Sequence, residues 1–427
     1  MTLVPQHIIL QSPASNDPLL DLNTQPSLDL QFATGKTLDD RVSGNNLITF
    51  SRADATTCAT YVDSNGVIQT AAANVPRFDH DPVTGESLGL LIEESRTNFT
   101  YPSIVPSSTL YGTLFVDGAS VTENAGTAPD GTTTASLVEA AQGTGANRVY
   151  SFVGGTLRDE SYSWFIKASS PDAVFRVLLS GALTPGGDIT YTFSTGSVGG
   201  SFPNNVLVEP YGNGWFRLSL TSEVVTTLTN SAYWSMTGFT GDFFIWGVQR
   251  EAGSFPTSYI PTSGSTVTRA ADVASITGTN FSSWYNQSEG TVYSEFAWNL
   301  NNQSNYNFPW YIRYDNSNAV YLGNWGSTTQ QTLGVRFNNP GITSQLSIPG
   351  STPGVSHKYA TTLNAFDFAV ALDGGVIGTY TGEDLATSMT SLRIGGFDGT
   401  HEINGHISRL TYYPYRLADA TLQEITS

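Results

Sequence analysis

The stretch PRFDHDPVTGESLGLLIEESRTN, Pro76 to Asn98, divides the chain. Proline and a run of turn formers open it. The apolar run Leu88 to Ile92 and the charged Glu93, Glu94 and Arg96 close it. The residues before it are polar and Pro-containing. Those after it fall into short β-like runs. The stretch therefore predicts a clasp where an N-terminal arm meets the first folded unit.

Upstream, Pro5, Pro13, Pro18 and Pro26 interrupt any element before residue 45. Leu28, Leu30 and Phe32 allow one strand. Such a segment buries too little apolar surface to offset its ordering entropy, about 1–2 kcal/mol per residue. It is expected to order only against another chain or a particle. Further on, Asn65-Gly66 predicts a hairpin joining Tyr61-Val62 to Val67-Ile68.

Downstream, strand candidates recur with Gly, Asn and Pro between them, as in a β-sandwich or jelly roll. SYSWFIKAS, Ser161 to Ser169, alternates imperfectly and predicts a strand near a sheet edge. Trp164, Trp215 and Trp246 are predicted core, while Trp234 is undecided. After the Ser/Thr/Gly-rich connector Pro261 to Thr268, GTVYSEFAW alternates over Gly290 to Trp298. Trp310–Tyr314 and Ala319–Trp325 predict a hairpin, as do His357–Asn364 and Phe366–Leu372. Asp419 to Ile425 predicts one short helix with Asp419 as its cap. The fold class expected is all-β: an arm and clasp over 1–99, a jelly roll over 100–268, and a second β-sandwich over 271–427 that folds independently.

The core PRFDHDPVTGE…GLLIEE.RTN, followed by β-sandwich domains, resembles structural and tail-associated proteins of tailed bacteriophages and prophages. FFIWGVQREAGSFPTSYIPT, Phe243 to Thr262, resembles the end of jelly-roll, carbohydrate-binding-module-like domains common in phage tail proteins. The order of the Asp373-Gly374-Gly375 turn, LRIGG and INGHISRLTYYPYRL resembles a concanavalin-A-like or laminin-G-like lectin sandwich. Asn404-Gly405, Arg409, Pro414 and Leu417 carry that likeness. The resemblance implies a virion protein, attached through its N-terminal part, with its distal domains facing the host.

Composition narrows the ligand. The net charge is −18, and Lys36, Lys167 and Lys358 are the lysines. No basic face is available for phosphates, which excludes nucleic acid and argues against an anionic membrane. Such acidity also suits divalent cations, but plain solubility accounts for it. Cys58 is the one cysteine, so no intrachain disulfide forms. The start MTLVPQHIIL lacks a basic n-region, so no signal peptide is expected, and no apolar run is long enough to span a membrane. A virion component assembled in the host cytoplasm satisfies these conditions. Without heptads, a homo-oligomer, for instance a trimer, would form by sandwich packing or arm exchange.

No E-x-D-x-x-E strand of the concanavalin-A-like glycosidases is present, so no catalytic residue is assigned. Glu93 and Glu94 are adjacent, face opposite ways on a strand, and read as rim charges. Asp79, His80 and Asp81 read as a turn rather than a metal site, and calcium has no support in the spacing. His401 and His406 lack a cysteine partner for zinc. The binding candidates are aromatic. On Trp310–Tyr314, alternation sets Trp310, Ile312 and Tyr314 on one face and Tyr311 with Arg313 on the other. Tyr311, Arg313, Tyr321 and Trp325 are the candidate glycan-binding residues, with Asn299, Asn301, Asn302, Asn316 and Asn324 supplying amides. The same aromatics would equally serve as core or subunit interface.

The function expected is a non-enzymatic phage virion structural protein: fibre, spike, baseplate or capsid decoration. Its partners would be other virion proteins, itself and host-surface glycans. A tailspike-type glycan-degrading enzyme and a free bacterial lectin or adhesin are the alternatives.

Overall fold

The computed structural model describes residues 19, 25–105, 115–117, 119–140, 148–152, 159–180, 183–184, 187–201, 206–224, 233–298, 306–315, 318–325, 331–336, 344–348, 352–375, 377–381, 388–397 and 401–427. Over these the chain is all-β, with four large antiparallel sheets arranged as two sandwiches and only three short helices.

The second sandwich draws on both ends of the chain. One sheet runs Ile377–Tyr380, Phe368–Leu372, His357–Asn364, Glu289–Trp298, Gly405–Tyr413, Ser87–Ile92 and Arg77–His80. Leu28–Leu30 also pairs with Gly405–Tyr413. The facing sheet runs Thr49–Ser51, Val273–Thr277, Ser391–Ile394, Tyr306–Arg313, Ala319–Trp325, Gln331–Arg336 and Ser344–Ile348. Strand alternation sends Val292, Phe296, Trp310, Ile312 and Leu410 into one core with Leu28, Leu30, Phe32, Leu90 and Ile92.

Residues 28–30 of the expected arm are therefore part of a sheet, while residues 1–18 and 20–24 lie outside the described residues. The arm's polar residues misled because they are buried and paired. Asp29, between Leu28 and Leu30, accepts from Arg409 Nε and Nη2 at 2.9 and 3.0 Å. The buried carboxylate of Asp40 accepts the amides of Asp29, Val42 and Ser43. Pro26 precedes its strand, where a missing N–H costs no ladder bond. The boundary at 99 and the self-contained 271–427 unit fail for the same reason: four strands between residues 28 and 92 complete the second sandwich.

The first sandwich is an insertion. Arg96–Asn98 leads into it and Val267–Arg269 leads out, the two pairing side by side with Thr97 opposite Thr268. Its larger sheet orders Leu183–Thr184, Phe216–Val224, Glu160–Ala168, Phe243–Ala252, Ala135–Ala140 and Ala119–Gly126, with Val206–Pro210 also on Phe216–Val224. The other orders Ser197–Gly200, Gly187–Thr192, Val174–Ser180, Tyr233–Thr237, Arg148–Phe152 and Phe115–Asp117. Glu160–Ala168 is central rather than at an edge. Tyr162, Trp164 and Ile166 fill the sandwich core, while Phe165 packs outward on Trp215, Trp246 and Tyr259. A strand covered on both faces needs no polar alternation. The side chain of Trp234 lies outside the described residues.

The hairpin at Asn65-Gly66 forms, pairing Ala59–Val62 with Ile68–Ala71. Asp419–Ile425 is helical, but Asp419 makes no capping bond and instead accepts from Arg416 at 2.6 Å.

Leu28, Leu30, Phe32, Leu90 and Ile92 are fully buried. At about 1.5–3 kcal/mol each, losing them removes roughly 8–15 kcal/mol, comparable to a whole domain's stability. Residues 271–427 expressed alone should be molten or aggregated. A chain of 25–98 joined to 267–427 by a short Gly/Ser linker should melt cooperatively. Thermal unfolding followed by circular dichroism checks both.

Candidate functional site

Charged residues are scarce in this chain, so their burial sites matter. Burying a charge is costly unless it is paired and hydrogen-bonded. Arg52, Arg77, Arg269, Asp54, Asp272 and Glu93 meet where the two sandwiches join. Arg52 Nε donates to Asp54 at 2.6 Å and its Nη1 to Asp272 at 3.0 Å. Arg77 bonds Asp272 through Nη2 and Glu93 through Nη1, the latter at 2.9 Å. Arg269 Nη1 reaches the same Glu93 oxygen at 2.9 Å. Three guanidiniums thus face three carboxylates. Backbone carbonyls of Ala72, Val75, Thr60 and Glu94 take further guanidinium N–H groups.

Burial alone would raise the Glu93 carboxyl. The Arg269 and Arg77 guanidiniums and two bonds from Ser258 outweigh it and hold Glu93 far below the usual carboxylate range. Burial likewise opposes the charge on Arg77, but Asp272 and Glu93 overcome it and push its pKa up. Glu93 is not a rim charge: it is 5% exposed.

The rest of the motif joins other parts. Glu94 accepts Asn404 Nδ2 at 3.1 Å, while its own N–H donates to Asn404 Oδ1 at 2.9 Å. Arg96 donates to Glu94 at 2.5 Å and to the Ala252 carbonyl of the first sandwich. Asn98 donates to the Val248 and Ile260 carbonyls and accepts the Arg250 amide. Asp79 accepts the Val62 amide at 2.6 Å and bonds His406 at 2.8 Å. Asp81 builds the turn: burial opposes its charge, but the Thr84 and Val83 amides hold its pKa down. Gly85 closes the turn at φ +71, where a Cβ would meet the Ser64 carbonyl at 2.6 Å. Val62 and Ile68 of the neighbouring hairpin pack on Phe165, Trp246 and Tyr259 of the first sandwich. Asp79, His80 and Asp81 thus serve a turn and a junction. Among the described residues no group of three or more His, Cys, Asp or Glu could hold a metal ion.

The predicted aromatic site is placed differently. Alternation on Tyr306–Arg313 holds, since Trp310 and Ile312 enter the core. Yet Tyr311 and Tyr321 are 0% exposed, in a second apolar cluster with Phe308, Ala319 and Phe397. Their rings stack at 5.2 Å and 6°, leaving no face for a sugar. Arg313 is half-buried with its guanidinium over the Phe397 ring at 5.7 Å. The side chain of Trp325, and those of Asn299, Asn301, Asn302, Asn316 and Asn324, lie outside the described residues. Tyr311 and Tyr321 are therefore core rather than contact residues: Phe397 folds over the sheet face on which they lie.

Arg52, Asp54 and Asp272 were missed. The signal was present as Arg52-Ala53-Asp54 and Arg269-Ala270-Ala271-Asp272, two Arg–Asp pairs beside strands in a cation-poor chain.

No protein-family model matches this sequence, and no curated protein does. Similar solved structures are distant. The leech intramolecular trans-sialidase shares 12% identity over 33% of this chain and 23% of its own, at TM-score 0.28. The receptor binding domain of botulinum neurotoxin mosaic serotype C/D shares 12% over 36% and 39%, at 0.29. Domains LG4-5 of the mouse laminin alpha1 chain share 9% over 74% and 89%, at 0.22. The chain thus spans well under half of the first two. No property of these proteins passes to it on such likeness.

Removing one partner from a buried pair leaves an uncompensated charge, which costs about 3–5 kcal/mol. Arg77→Ala and Asp272→Ala should each lose about that much in denaturant unfolding. Glu93 has a lowered folded pKa, so its contribution is full above the unfolded carboxyl value, about 4.3, and fades as pH falls below it. Glu93→Gln should flatten the acid side of the melting-temperature profile. An unchanged slope below about pH 5 would contradict the pairing.

Proposed function

We propose that this chain is a non-enzymatic structural protein of a tailed-phage particle, residing in the virion, associated with other virion proteins and with copies of itself, and contributing to attachment at host-surface glycans. One observation supports it above others. The stretch carrying the phage resemblance places Arg77, Glu93 and Arg96 at the junction between two sandwiches. A catalytic carboxylate must reach a substrate, whereas Glu93 is enclosed by two guanidiniums and Ser258. The motif is thus a joint, as suits a rigid particle component that must hold two domains in fixed register.

Leu28–Leu30 is woven into the second sandwich, so these residues of the expected arm are not free to attach to the particle. Glycan contact likewise cannot use Tyr311 or Tyr321 and needs another surface.

The test is co-purification. Density-banded particles from an induced culture carrying this gene should contain the protein by immunoblot and mass spectrometry. A protein confined to the soluble fraction while the particles band without it would overturn the reading. Release of oligosaccharide from host polysaccharide by the purified protein would overturn its non-enzymatic part.

A further inference from the structure

Among the described residues, the exposed aromatic side chains are Tyr314, Phe366 and Tyr415, at 56%, 56% and 46%. They come from three separate parts of the chain and lie at one end of the second sandwich. Phe366 tops the turn between His357–Asn364 and Phe368–Leu372. Asn364 pairs with Glu289, which opens the strand Glu289–Trp298. Tyr415 follows Gly405–Tyr413, whose last residue pairs with Thr291, and Thr291 Oγ1 donates to the Tyr415 carbonyl. Tyr314 follows the strand of the facing sheet that ends at Arg313. The sheets are tied there by Gln287, whose amide exchanges bonds of 2.8 and 2.9 Å with Met389, while Thr390 N–H donates to the Arg313 carbonyl.

This end is remote from the junction. Gly405, at the other end of the same strand, pairs with Trp298 and Ile92, beside the Glu94–Asn404 bonds. Val273–Thr277 likewise starts next to Asp272 and ends where Thr277 pairs with Ser391, one residue from Thr390.

We propose that this remote end binds a neutral glycan, an inference that rests on the attachment role above and gives it a site. The chemistry is that of a sugar platform. Exposed rings offer apolar faces to pyranose C–H groups. The Asp367 and Asp419 side chains, 53% and 44% exposed, present oxygens to sugar hydroxyls. Arg416 holds both, at 2.9 and 2.6 Å, so they are pre-positioned. Phe366 has φ +60, a conformation a bulky residue rarely adopts. Strain at an exposed aromatic marks a residue kept for contact rather than for folding.

Charge selects the occupant. Glu289, Asp315, Asp367 and Asp419 outnumber Arg313 and Arg416 at this end, which disfavours anionic sugars. It equally disfavours pairing with the same acidic end of a second copy. Neutral hydroxyl-rich chains meet neither objection.

The test uses the full chain, presented multivalently through a biotinylated tag on an array of neutral, sialylated and phosphorylated oligosaccharides. The wild type should bind neutral probes. The triple variant Tyr314→Ala, Phe366→Gly and Tyr415→Ala should lose at least tenfold in signal with an unchanged melting profile, since all three side chains are exposed and glycine relieves the φ. Undiminished binding by the variant would overturn the site while leaving glycan attachment standing. Preference for anionic probes would overturn the ligand class. No binding to any probe by a protein that co-bands with particles would sink both the site and the glycan role, but not the virion role. Conversion of an oligomer to monomer by the triple variant, without loss of glycan signal, would reassign the surface to self-association.

Discussion

The pairing of Asp54, Glu93 and Asp272 with Arg52, Arg77 and Arg269 is the constraint on which the rest depends. Burying six charges is not an efficient route to stability, since desolvation consumes most of the Coulombic gain. What it supplies is direction. Apolar faces such as Val62 and Ile68 on Trp246 tolerate sliding, whereas a guanidinium shared between Asp272 and Glu93 does not. Each carboxylate comes from a different stretch: Asp54 before the first hairpin, Glu93 at the entry to the insertion, Asp272 after its exit. The network closes only when all three stretches are in place.

That requirement follows from the topology. The second sandwich is interrupted by the first, and its closing contacts span most of the chain, as Asp29 with Arg409 does. Loop closure over such lengths has to be offset before the contact rewards it, which slows folding. A sandwich that forms within the inserted segment shortens the effective loop, because the ladder of Arg96–Asn98 with Val267–Arg269 brings its two ends together. The ionic network sits at the base of that ladder, where an inserted domain would otherwise swing.

Local patterns in the sequence were legible wherever one face of a strand meets a core. The Asn65-Gly66 hairpin follows from turn chemistry, and the Trp310–Ile312 alternation and the core position of Trp164 follow from period-two logic, while Trp215 and Trp246 are buried on the outer face. The failures share one physical origin. Period-two logic assumes one wet face, and here second faces are covered too: Phe165 beneath the first hairpin, Tyr311 and Tyr321 beneath Phe397. The N-terminal strands were misread for a related reason. Asp29 and Asp40 look like loop chemistry until Arg409, hundreds of residues away, is known to lie beside Asp29. Composition reports polarity and not the distance of the partner that satisfies it.

The same economy shapes the outer surface. Arg52, Arg77, Arg96, Arg250 and Arg269 are all buried against carboxylates, in a chain with 18 basic and 36 acidic residues. Each is matched by a carboxylate, so these pairs leave the net charge of −18 to be carried by the rest of the chain. An acidic exterior repels phosphate-rich envelopes at distances up to the Debye length, about 8 Å at physiological ionic strength. Long-range steering toward an anionic cell surface is thus lost. On the proposed attachment role, recognition would fall to short-range contact, through rings and hydroxyl-accepting oxygens that act only within van der Waals and hydrogen-bond reach. Such contacts are weak singly and gain strength from repetition, since linked sites multiply their effective concentration. On the proposed attachment role, a chain whose arginines lock two sandwiches would hold a surface only when displayed in several copies.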